Sequence, residues 1–153
     1  MVLALDADHL AVERLYRSLR ADGTPNILPL VMNLADASPA LGWRGQERKR
    51  LEDRGKPDLV LCLALIHHAC ITANIPLESM LDWLASLGAT LVIEFVTRED
   101  PMAAALLRAR SDHCPAYNTA AFETALHKRF VVDAWEPLAS GTRILYRATP
   151  RNT

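Results

Sequence analysis

The chain has 153 residues, half of them hydrophobic, with 17 basic against 18 acidic side chains. Such a length suits one domain that buries roughly 68–70% of its unfolded surface, and the near-cancelling charge excludes a global bias toward nucleic acid or anionic membranes. No stretch reaches membrane-spanning length, three cysteines without metal or redox spacing exclude a disulfide framework, and the start MVLALDAD lacks the basic opening of a secretion signal, so the expected address is the cytoplasm. Val2 to Leu5 reads as a short apolar strand closed by Asp6. Asp8 caps a helix in which Val12, Leu15, Tyr16 and Leu19 form one apolar stripe, ending near Ala21 before Asp22-Gly23. Ile27 to Met32 is a second strand, with Pro29 pointing to an edge position. Asn33 to Gly42 is a loop.

Arg44 to Lys56 carries six basic and three acidic residues. The interspersed signs predict a solvated short helix, with a nucleic-acid surface as the weaker alternative. Asp58 to Leu65 is apolar after its first residue, which suits a strand covered on both faces. Pro57 in front and His67-His68 behind hold the run to strand length. Pro76 to Leu87 is a helix with the stripe Leu77, Met80, Leu81 and Leu84, stopped by Gly88. Ala89 to Val96 is a nearly continuous apolar strand with one charge, Glu94, placed to bind substrate or to pair with Arg98. Pro101 to Arg110 is helical behind an Asp100 cap, and Thr119 to Lys128 is helical with Phe122 and Leu126 on one face. Phe130 to Trp135 and Thr142 to Ala148 make a terminal antiparallel hairpin in which Arg143 and Tyr146 are structural. The tail after Thr149 is expected to fray.

Strands alternating with helices give an α/β sandwich around a mostly parallel sheet. In such sheets ligands collect beyond the carboxyl ends of the strands, which here means Ile66, His67 and His68.

The order strand–Asp–helix, strand, D-x-V-x-x-x-x-x-[LI]-H-H, helix, Gly, strand, helix and hairpin resembles a class I S-adenosylmethionine-dependent methyltransferase over residues 2 to about 148. Asp58 to His68 is similar to the fourth strand and following loop of many small-molecule methyltransferases. SPALGW, ERKRLEDRG, LALIHH and IEFV resemble a bacterial methyltransferase-like group associated with nodulation-type proteins. The resemblance implies a Rossmann-like three-layer sandwich whose first strand and glycine-rich loop are missing, since the chain starts at what looks like the second strand. It also implies a sheet order in which strands four, five, seven and six lie to one side of the missing strand.

The resemblance implies roles for particular residues. Asp6 would accept bonds from the cofactor ribose, Asn33 (or Asp36) would bond the adenine amino group, and Leu34 would contact the ring. Leu63 and Ala64 complete the cofactor set. Each also has a plainer reading, as a cap or turn residue. His67 and His68 are the candidate bases, because a histidine titrating near neutrality can take a proton as a methyl group moves; capping or loop packing is the alternative. No metal is expected of His67, His68 and Cys70, since adjacent residues rarely point at one ion. The implied function is methyl transfer to a small-molecule acceptor in an intact protein, with weak or absent S-adenosylmethionine binding and little activity by this chain alone. The alternative is a non-catalytic interaction module. Its sheet edges, from Val2 to Leu5 and from Asp58 to Leu65, are expected to pair with each other or in a homodimer.

Overall fold

Two aspartates shape the start of the chain. Asp6 Oδ1 accepts from Asp8 N at 2.9 Å and Asp8 Oδ1 accepts from Leu10 N at 2.8 Å. Strand β1 (Val2–Asp6) thereby turns into helix α1 (His9–Ala21) with a side-chain cap on the helix's first free amides. Strand β2 (Ile27–Val31) runs parallel to β1, in register from Val2↔Ile27 to Asp6↔Val31. Pro29 is tolerated because β2 has a partner on one side only. These features come from a computed structural model of the chain, in which residues 1–110 and 114–151 are described.

The chain divides into two compact units, Met1–Leu51 and Glu52–Thr153. In the first, no residue is fully buried, and Val2, Leu3, Leu28 and Val31 are exposed. The helix expected over Arg44 to Lys56 does not form. Three-residue 3-10 turns stand at Trp43–Gly45 and Leu51–Asp53 instead. Gly42, Arg44 and Gly45 all have positive φ (85°, 56° and 68°), a backbone that a right-handed helix cannot contain.

The second unit holds the core. Its sheet has the order β3-β4-β6-β5, built from β3 (Leu59–Cys62), β4 (Thr90–Val96), β5 (Phe130–Pro137) and β6 (Arg143–Pro150). β3 and β4 are parallel, and β6 lies antiparallel between β4 and β5. This is the four-five-seven-six order that the resemblance implies. Helices α2 (Leu77–Ser86), α3 (Pro101–Arg108) and α4 (Thr119–Arg129) complete the unit. Gly88 follows α2 with φ +70° and open space around it, so its lack of a Cβ serves the left-handed turn that ends the helix. Phe95 stacks on Phe122 with ring centroids 4.4 Å apart, and Tyr146 meets Phe122 at 5.3 Å. All three are buried, and rings at these separations add to what their burial contributes.

Three expectations are corrected. The run from Asp58 to Leu65 is a strand over only four residues, and it is covered on one face, since Leu59, Leu61 and Leu63 are 51%, 60% and 51% exposed. Its backbone leaves the strand where Ala64 turns into the left-handed region. The two edges do not pair with each other: β1 bonds to β2 and β3 to β4, in separate sheets. The tail is held further than expected, because β6 runs to Pro150 and Arg151 N donates to Arg129 O at 2.9 Å. The last two residues of the expected frayed tail lie outside the described residues.

Candidate active site

At the carboxyl end of β3 the chain turns at Ala64, whose φ is +48°. For a residue with a Cβ this left-handed conformation costs roughly 1–2 kcal/mol. The turn is held from the neighbouring strand: Ala64 N donates to Glu94 Oε2 at 2.9 Å. Glu94, the lone charge in β4, is 7% exposed, and a carboxylate so buried must be paired. Its other oxygen accepts from Arg143 Nη1 at 3.0 Å.

Arg143 in turn donates from Nε to Asp100 Oδ2 at 2.8 Å. Asp100 accepts from Thr142 Oγ1 at 3.0 Å and caps α3 by accepting from Met102 N at 2.9 Å. The Arg143 hydrogen bond, with the Met102 and Thr142 donors, outweighs burial and holds the Asp100 carboxyl down at about 2. The two carboxylates raise the Arg143 guanidinium. Glu94, Asp100, Thr142 and Arg143 line an open pocket of about 690 Å³ together with Leu138, Ala139 and Ser140. The pairing expected between Glu94 and Arg98 is thus replaced by one with Arg143, and Arg98 donates to the carbonyls of Cys114 and Tyr117 at 2.9 Å each.

The register explains the choice. Leu145 faces Glu94 and Arg143 faces Val96 across β4 and β6, so Arg143 is the diagonal same-face neighbour of Glu94. A lone carboxylate in a buried strand was the available signal, but naming its partner needs the strand order.

Beyond Ala64 the chain enters a π-helical turn, His68–Thr72, with His67 in front of it. His67 is 2% exposed and caps nothing with its side chain; its Nδ1 is buried without a hydrogen-bond partner. Burial first, then the neighbouring His68 and Arg143, push it down to about 4, so it is neutral at physiological pH. His68 stands exposed, its ring centroid 4.2 Å from that of His67. Leu63 and Ala64 are both exposed on the same rim.

In the first unit the rim of the two-stranded sheet brings Asp6 and Asn33 near each other, since Met32 N donates to Asp6 O at 2.8 Å. Both are exposed, and Leu34 is half-buried. Each polar side chain also does the local work of its plainer reading. Asp6 Oδ1 bonds Asp8 N, while Asn33 Oδ1 accepts from Ala35 N at 3.0 Å and caps the turn Leu34–Asp36. A carboxylate and an amide oxygen keep further lone pairs after one bond, so both can accept additional hydrogen bonds. Among the described residues no cluster of three His, Cys, Asp or Glu side chains could hold a metal, and no helix is long and apolar enough to cross a membrane.

No family model matches the chain. It is 32% identical over 145 residues to the nodulation protein NoeA of Rhizobium meliloti (strain 1021), an alignment that takes in 94% of this chain. The chain spans 30% of the length of that curated relative. Among solved structures it resembles the PH0226 protein of Pyrococcus horikoshii OT3, with a TM-score of 0.63 at 11% identity over 98% of this chain and 71% of the other. It also resembles the pyocyanin biosynthetic protein PhzM, with a TM-score of 0.53 at 14% identity over 97% of this chain and 42% of that one. These likenesses give it a Rossmann-like α/β fold.

Proposed function

We propose that this chain, a homologue of NoeA with the class I methyltransferase fold, is the methyl-transfer part of a protein that acts on a small-molecule acceptor. The observation that carries the reading is the rim: polar and turn residues stand at the carboxyl ends of parallel strands in both units, where an open α/β sheet binds its ligands. Asp6 would hold the ribose hydroxyls of S-adenosylmethionine, and Asn33 with Leu34 the adenine. In the second unit Leu63 and Ala64 stand exposed at the end of the β3 run. When bound, the cofactor supplies a methyl group already activated for in-line displacement, so the protein's own part is alignment and exclusion of water.

Of the two histidines, His68 is the better candidate base because it stands exposed, whereas His67 is buried and burial pushes its ring down to about 4. The sequence contains no G-x-G stretch, so cofactor binding by this chain alone should be weak and turnover low. Titration with S-adenosylhomocysteine, followed by backbone amide shifts, tests the reading. Millimolar binding that moves Asp6, Asn33 and Leu34, and that Asp6→Ala abolishes, is expected. No shift at saturating ligand would remove the cofactor role.

A second reading is favoured by one observation. β3 pairs on one side only and carries the exposed leucines 59 and 61, with exposed Leu63 just beyond its end, the profile of an edge that recruits another strand. In this reading the chain is an interaction module, and the partner is a second copy. A cytoplasmic address goes with either.

A further inference from the structure

The described residues hold one backbone strain that a buried charge faces directly. Ala64 sits in the left-handed region at φ +48°, immediately after the last exposed leucine of the β3 run and just before the histidine pair. The N–H of that same residue is the one that Glu94 Oε2 takes at 2.9 Å. The carboxylate is not free to turn away, because its Oε1 is held by Arg143, which Asp100 holds through Nε. Four elements therefore converge on one strained peptide: the β3 turn, β4, the start of α3 and the start of β6.

We infer that Glu94 is a positioning residue, whose buried carboxylate, fixed by Arg143, keeps Ala64 in its left-handed turn and so aims the segment from Leu63 to His68. The conformation costs free energy wherever no partner supports it. A charge-assisted bond from the amide to a buried carboxylate is of the strength that can offset such a cost. Without it the turn would relax toward the β region, and His67, which packs buried beside this network, would move with it. The consequence for ligand binding rests on the methyl-transfer reading; the consequence for backbone geometry does not.

The test uses the full chain and nuclear magnetic resonance of the His67 ring and the residue-64 amide. Glu94→Gln should shift both, by more than an equally destabilising core change elsewhere such as Leu126→Ala. Adding Ala64→Gly should return the His67 resonances toward wild type and recover part of the lost thermal stability, because glycine adopts positive φ without penalty. If Glu94→Gln fails to fold, Ala64→Val reads the same point with Glu94 intact. A β-branched side chain resists the left-handed region, so it should displace His67 in the same direction. Unmoved His67 signals in Glu94→Gln or Ala64→Val, or a displacement that Ala64→Gly does not reverse, would overturn the assignment. A chain that binds no S-adenosylhomocysteine would remove the proposed function and leave these shifts intact, so the two failures are distinguishable.

Discussion

Replacing Asp100 by asparagine separates two jobs that this side chain does at once. Asp100 Oδ1 caps α3 by accepting from Met102 N, while Oδ2 accepts from Arg143 Nε and Thr142 Oγ1. Asparagine is as good a cap as aspartate, so Asp100→Asn spares the helix start and removes the charge opposite Arg143. Breaking a buried ion pair from one side costs about 3–5 kcal/mol. Here the guanidinium is 28% exposed and keeps Glu94, which brings the expected loss to about 2–3 kcal/mol. For a cooperative unit of this size that lowers Tm by roughly 8–20 °C.

The acid limb adds a second readout. Asp100 falls from its ordinary 3.8 to about 2 in the folded chain, so the unfolded chain binds its proton more tightly. Its stabilisation is complete above pH 3.8 and is lost as pH falls through about 2. Urea unfolding of wild type and Asp100→Asn across that range should show the two curves converging toward acid. A variant within about 0.5 kcal/mol of wild type at neutral pH, or parallel curves down to pH 2, would refute the reasoning.

Three further outcomes follow from the packing. His67 drops from 6.5 to about 4 on folding, so the unfolded chain takes up a proton that the folded chain refuses, and stability should rise with pH between those values; His67→Leu should flatten that slope in pH-dependent denaturation. Phe122→Ala removes a fully buried ring stacked on Phe95 and should cost about 3–5 kcal/mol by urea titration. If copies associate through the β3 edge, Leu61→Asp, at its most exposed leucine, should abolish dimers in sedimentation experiments; a wild-type chain that stays monomeric at every concentration ends the second reading.

Much of the second unit was legible in the sequence because its signals are local. α2 announces itself by the stripe Leu77, Met80, Leu81 and Leu84, all buried, and by Gly88 just beyond it. α3 begins where Asp100 and Pro101 say it should. The hairpin of β5 and β6 follows from two apolar runs around a polar connection, although the shift in register between Val132 and Ala134 leaves no mark that a pattern of alternation could reveal. The resemblance also placed β6 between β4 and β5, an order that periodicity alone does not contain.

What stayed hidden depends on partners far along the chain. Nothing in DLVLCLALIHH says that the strand stops at Cys62, because the turn is fixed by a carboxylate from another strand. The same distance conceals the pairing of Glu94. Arg98 is four residues away in sequence and Arg143 is far off, yet the antiparallel register of β4 and β6 makes Arg143 the near neighbour. Arg44 to Lys56 fails for a local reason that outweighs charge pattern: Arg44 and Gly45, with Gly42 just before them, stand at positive φ and leave no room for a helix there. The apolar run of β3 reads as covered on both faces because such runs usually are, and the exposure of Leu59 and Leu61 departs from that expectation. An apolar stripe on a strand with unpaired backbone groups is costly to leave in water and apt to recruit a strand. That is why Leu61→Asp is informative in both directions: a surface that serves no partner should tolerate the charge, while one that does should lose its partner.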